Sequence, residues 1–104
     1  MRGEIRWYRF ARPDKRRPVL VLTRDSVLDY LAEVTVAPIT STIRGLPSEV
    51  LLTAADGMPR DCAINCDHLQ TVAQHRLGPV ITALGRDRLD EVRAAVLFAL
   101  GFRR

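Results

Sequence analysis

The sequence predicts a mainly β (α+β) domain, a small and strongly bent sheet or barrel with one amphipathic helix at its C-terminal end. Three observations carry that expectation. Residues 1–85 hold short runs rich in Val, Ile, Thr and aromatic side chains, parted by Gly, Pro and Asp. From Leu89 onward the apolar residues change to helical spacing. A chain of 104 residues is also long enough to bury one core without staples.

Each element can be justified in order. Residues 4–10 alternate loosely, with Ile5 and Trp7 on one face, and read as a strand. Residues 11–17 form a charged loop around Pro13. Residues 18–23 are apolar almost throughout, as in a strand buried on both faces. Residues 25–30 make a helical turn. Residues 33–40 are a strand whose Pro38 lacks a donor, which predicts an edge or a bulge there. Residues 41–48, with Gly45 and Pro47, are a loop; 49–53 a strand; 54–57 a turn; 62–66, 69–72 and 78–82 further strands. Leu89, Val92, Val96, Leu97 and Leu100 then fall on one helical stripe, which Asp87 caps and Gly101 ends. The stripe packs on the chain's own sheet. Phe98 lies off it and needs separate cover, which a homodimer with part of this helix at the interface would supply.

Composition excludes several classes. At 47% apolar and 27% charged residues the chain is an ordinary globular domain, too hydrophobic for disorder. No apolar run is long enough for a membrane span, and residues 1–6 have no apolar signal core behind their charges. Two cysteines make no disulfide framework. The expected setting is the cytoplasm. The net charge of +4 is unevenly placed: residues 1–17 hold seven basic side chains against two acidic ones. All the basic residues but Lys15 are arginine, whose planar fork matches a phosphate bidentately. That points to an anionic partner, nucleic acid first. The other reading is an arginine-favouring codon composition with a solvated basic face.

Most catalytic constellations are missing. Cys62, Cys66, His68 and His75 lack zinc-ligand spacing, so neither metal nor cofactor is expected, and the cysteines read as buried thiols. No G-x-S-x-G elbow, P-loop or G-x-G-x-x-G is present. A Cys66–His68 pair lacks a visible activating neighbour. What remains is Arg17 at the mouth of one apolar strand and Thr40, Ser41 and Thr42 at the end of another. An arginine beside hydroxyls suits a phosphodiester whose oxygens gain charge in the transition state. Arg17 as a solvated loop charge and Thr40 as a plain strand-end residue are the alternatives.

These segments resemble the MazF/PemK family of toxin ribonucleases from bacterial toxin–antitoxin pairs. Arg2-Gly3-Glu4-Ile5-Arg6-Trp7 is similar to the family's R-G-[ED]-[IV]-W-x start, and Arg17-Pro18-Val19-Leu20-Val21-Leu22 to its R-P-[VA]-[LV]-V-[LIV] motif. Ala37-Pro38-Ile39-Thr40-Ser41 is similar to its [AP]-[LIV]-T-[ST] motif. Residues 59–65 and 67–72 match its later strands, and 85–100 its closing helix. The resemblance covers almost the whole chain, in order, as one domain over 1–104. It implies a small SH3-like barrel of the CcdB/PemK type, a homodimer, metal-independent cleavage of single-stranded RNA, and a cognate antitoxin whose flexible tail fills the RNA groove. It places the catalytic arginine on Arg17 and the catalytic threonine on Thr40. Two departures stand out: the loop at 11–16 lacks the family's G-[ST]-E stretch, and His68 replaces a glutamine.

The implied chemistry uses the RNA's own 2′-hydroxyl as nucleophile, so no metal is needed. A guanidinium keeps its proton in proteins, so Arg17 serves as a charge rather than an acid or base. The basic cluster assigns phosphate contacts to Arg12, Lys15 and Arg16. Ser41, Thr42, Arg44 and His68 are assigned to RNA contacts near the bases. The rival is a non-enzymatic, CcdB-like toxin that binds a protein such as DNA gyrase. That activity resides in a C-terminal region with a tryptophan, and the only tryptophan here is Trp7.

Overall fold

The computed structural model describes residues 1–10 and 15–102. Seven strands among these residues form one curled antiparallel sheet: β1 (Glu4–Arg9), β2 (Arg16–Val21), β3 (Glu33–Thr40), β4 (Glu49–Leu52), β5 (Cys62–Asn65), β6 (Gln70–Ala73) and β7 (Val80–Ala83). A short helix, α1 (Asp25–Leu28), follows β2, and α2 (Arg86–Ala99) follows β7. The strand order is β4-β5-β3-β2-β1-β7, with β6 also paired to β3. This is the mainly β architecture with a C-terminal helix that the sequence predicts.

The long strand β3 explains the curl. Along one edge it pairs with β2; along the other it pairs with β6 at residues 33–36 and with β5 at Ile39 and Thr40. Pro38 falls in the gap between the two partners. The expected edge is therefore corrected: β3 is central. The Leu22 N–H donates to the Thr35 carbonyl at 2.9 Å, which sets the phase of the β2–β3 ladder. Hydrogen-bonded pairs alternate, so the Val19–Pro38 pair is a non-bonded one. The missing proline donor thus costs no bond to β2 and costs none where β6 gives way to β5.

Side-chain alternation sorts the core into two clusters. Ile5, Leu20, Ala37, Ile39, Leu52 and Ile64 belong to the larger one, against which Leu89, Val96 and Ala99 of α2 also pack. Val19, Val34, Val36 and Val72 form the smaller one, flanked by Tyr8 and Phe10. Truncating a fully buried member such as Leu20 to alanine costs about 2–5 kcal/mol. Gly57 closes a turn at φ +90°, and a Cβ there would lie 2.6 Å from Thr82 Oγ1. No side chain fits that approach.

Four boundary expectations are corrected. Arg16 and Arg17 are strand residues, because their backbones pair with Arg9 and Tyr8 of β1. Cys66 leaves the strand and opens a 3-10 turn, Cys66–His68, so it does not share a strand face with Cys62 or His68. Gly85, not Asp87, is the N-cap of α2; Asp87 sits in the first turn, where its charge meets the positive helix end. Of the stripe only Val92 is buried, with Ala95 beside it; Leu89, Val96 and Leu97 are half-buried, and Leu100 is exposed, as are Phe98 and Phe102. Gly101, at φ +82°, follows the helix as expected. No helix among the described residues is long and apolar enough to cross a membrane.

Candidate active site

The antiparallel register brings the two reactive candidates together. Val19–Pro38 is the last pair of the β2–β3 ladder, and Arg17 and Thr40 each lie two residues beyond it on their strands. Both have the parity of Val19 and Pro38, so both stand on the smaller-cluster face. Arg17 is also directly paired with Tyr8 across β1–β2. Arg17 and Thr40 then lie on the shared wall of two clefts.

The first cleft, of about 380 Å³, opens where β3 changes partner. It is lined by Arg17, Thr40 and Pro38 together with Phe10, Asn65 and Gln70; Thr42, Arg44, Glu49 and His68 complete it. Asn65 ends β5 and Gln70 begins β6, so the 3-10 turn between them aims both into the notch. The loop above is held by one carboxylate: Glu49 Oε1 accepts from the N–H groups of Arg44, Gly45 and Leu46 at 3.1, 2.9 and 3.4 Å. Below, the Ser48 hydroxyl donates to Asp67 at 2.5 Å, tying the loop to the turn.

The second cleft, of about 440 Å³, lies toward the larger-cluster face and is lined by Trp7, Lys15, Arg16, Ser41, Pro59 and Arg60 beside Arg17 and Thr40. Arg16 and Arg17 are neighbours in a strand and so point to opposite faces. Arg16 lays its guanidinium over the Trp7 ring, 4.5 Å from the centroid. That contact holds a cation at the cleft wall while leaving its edge open to an anion.

Thr40 is poised to donate. Its Oγ1 accepts the Thr42 N–H at 3.1 Å, which leaves the hydroxyl proton for another partner. The thiols are not poised for attack. Burial pushes Cys66 up to about 11 and raises Cys62 as well, so both are protonated at neutral pH. Both are free cysteines.

The sequence-predicted site residues divide cleanly. Arg17 and Thr40 border both clefts; Thr42, Arg44 and His68 line the first; Lys15, Arg16 and Ser41 line the second. Arg12 lies outside the described residues. The sequence reading missed Asn65, Gln70, Glu49 and Phe10 in the first cleft and Arg60 and Trp7 in the second. Trp7 and Arg60 did carry a signal, an aromatic and a cation inside segments that resemble family motifs. Asn65 and Gln70 also lie in such segments, but only the turn between the two strands makes them neighbours.

Fold and site together define a class: a small curled-sheet protein that carries an arginine and a hydroxyl at the junction of two clefts. Residues 1–100 match the family model described as the PemK-like, MazF-like toxin of type II toxin–antitoxin systems, and the chain belongs to that family. Endoribonuclease MazF3 of Mycobacterium tuberculosis is 48% identical over 68 residues, 65% of this chain. That match spans 66% of MazF3, just under two thirds of its length. The solved M. tuberculosis toxin MazF-mt6 is 37% identical with a TM-score of 0.89, covering 97% of this chain and 99% of its own. A chain of the Deinococcus radiodurans MazE–MazF structure is 28% identical with a TM-score of 0.81, covering 97% and 95%.

Proposed function

We propose that this chain is the toxin of a type II pair and cleaves single-stranded RNA by internal transesterification, without a metal or cofactor. The observation that carries the reading is that Arg17 and Thr40 both border both clefts. An RNA strand crossing that wall puts one nucleotide in each cleft and the scissile phosphate between the pair. The 2′-oxygen attacks phosphorus and its P–O bond forms as the P–O5′ bond breaks. The 2′-hydroxyl proton leaves to solvent or a base, and the 5′-oxygen takes one up. Products are a 2′,3′-cyclic phosphate and a 5′-hydroxyl. Arg17 offers its fork to oxygens whose charge grows as phosphorus becomes pentacoordinate, and Thr40 donates its free proton to one of them. Names of relatives support the reading: MazF3 is an endoribonuclease.

The same clefts fit an acidic antitoxin segment, whose carboxylates take the place of phosphates. The D. radiodurans MazE–MazF structure supports a partner of that kind. A homodimer in the bacterial cytoplasm completes the proposal, supported by the exposed Phe98, Leu100 and Phe102 at the end of α2; sedimentation as a stable monomer at micromolar concentration counts against it. The enzymatic reading is tested by incubating the protein with mixed-sequence RNA in EDTA. Fragments with cyclic phosphate and 5′-hydroxyl ends are expected, and none where the attacking nucleotide is 2′-deoxy. Intact RNA after long incubation, or cutting at the 2′-deoxy position, overturns it.

A further inference from the structure

The 3-10 turn at residues 66–68 carries a hydrogen-bond chain whose direction is fixed. The Asp67 N–H donates to Asn65 Oδ1 at 3.0 Å. A backbone N–H only donates, so this end of the Asn65 amide is its oxygen. The other end, Nδ2, lies 3.3 Å from His68 Nδ1. An amide nitrogen also only donates, so Nδ1 accepts, and the neutral imidazole carries its proton on Nε2. His68 lines the same cleft as Arg17 and Thr40. Besides Thr40 and Asn65, the uncharged polar side chains there are Thr42 and Gln70, each of which holds a donor and an acceptor and can turn to suit either kind of base edge. His68 cannot, because Asn65 occupies its lone pair.

We infer that Asn65 fixes the tautomer of His68, and that His68 Nε2–H is thereby a specificity-determining donor. It selects a base that presents a keto oxygen, as uracil and guanine do, over one that presents an amino group at the same point. Asn65 is a positioning residue. The tautomer rests on hydrogen bonding alone, whereas the base read rests on the endoribonuclease reading above. A corollary is that the neutral ring is not set up to take the 2′-hydroxyl proton, since its one basic nitrogen already accepts a bond.

Long-range ¹H–¹⁵N NMR at a pH where the ring is neutral tests the first half. The expected result is a proton on Nε2 in the wild type and on Nδ1 in Asn65→Asp, whose carboxylate accepts both from Asp67 and from the ring. A wild-type ring protonated on Nδ1 overturns the inference. Sequencing the products of a random RNA pool tests the second half. A keto preference at one position beside the cut is expected in the wild type and weakened in His68→Gln, whose amide can turn to present either its donor or its acceptor. It should fall about tenfold in His68→Leu and turn toward amino bases in Asn65→Asp. An unchanged preference in His68→Leu overturns the inference. Selection from a 2′-O-methyl RNA pool separates the two readings. If the wild type selects keto bases but cuts no RNA, the endoribonuclease reading fails and the donor assignment stands. If it cuts RNA but shows no base preference beside the cut, the donor assignment fails and the enzyme reading stands.

Discussion

The two clefts share a wall and little else. One is lined by uncharged amides, a hydroxyl, an imidazole and Phe10, with Arg44 at its rim and Glu49 holding its loop. The other holds Lys15, Arg16 and Arg60 around Trp7. Uncharged donors and acceptors discriminate among bases, because their hydrogen bonds are lost when the wrong edge is presented. Cations with an aromatic platform grip any strand, since every nucleotide has a phosphate and a π-face. Under the proposed function, grip and reading fall to different clefts, with chemistry assigned to the residues common to both. The separation follows from the pleat of β2: Arg16 lines the basic cleft alone, whereas Arg17, its neighbour on the opposite face, borders both.

The strongest way to break this picture is at the shared wall. Thr40→Ala should slow cleavage by ~10²-fold if its hydroxyl stabilises the transition state by about 3 kcal/mol. Arg17→Lys should also fail, because one ammonium does not replace a fork. Single-turnover rates on folded variants check both, and near-wild-type rates sink the assignment. The next largest effects should distinguish the two clefts. Arg60→Ala should make the salt dependence of binding to an uncleavable RNA shallower by roughly 0.7 log units per log of salt, one phosphate's worth, and alike for all sequences. Arg16→Ala should do somewhat less. Gln70→Ala should leave that slope alone and blur the cleavage-site profile instead. Equal slopes in all variants and the wild type would remove the basic cleft from the RNA path.

A smaller effect sharpens the reading cleft. Glu49→Ala removes the acceptor of three loop N–H groups and should lower stability by about 1–2 kcal/mol. Site preference should loosen more than the rate drops, as product sequencing beside a melting curve would reveal. A collapse of rate with preference intact would instead place Glu49 in the chemistry.

Much of this was legible in the sequence. Strand existence was, because Val19, Leu20, Val34 and Val36 are β-branched or apolar in period. So were Arg17 and Thr40, because an arginine leading into one apolar strand and a hydroxyl ending another are local patterns. The strand status of Arg16 and Arg17 was not, since charged side chains say loop while the backbone pairing with Arg9 and Tyr8 overrides them. Pro38 misled for a related reason. Its missing donor is a local fact, but whether it costs a bond depends on where β6 hands over to β5, a matter of topology. Asn65 and Gln70 are the clearest case. Each looks like an ordinary strand residue, and they reach one cleft only because the turn between them, anchored by the Ser48–Asp67 bond, folds them to the same side. The exposed end of α2 was half legible: Phe98 stood off the stripe, whereas Leu100 stood on it and is nevertheless exposed.

The central claim is that Arg17 serves the transition state more than the bound RNA. The direct measurement is to follow Arg17→Ala in EDTA on one RNA, recording single-turnover cleavage at saturating protein and, in parallel, affinity for the 2′-O-methyl form. The expected result is a rate lowered ~10²-fold or more with affinity reduced only by the loss of a single phosphate contact. A rate at saturation equal to the wild type's, with the whole loss appearing in affinity, would contradict it and reduce Arg17 to one more cation of the grip.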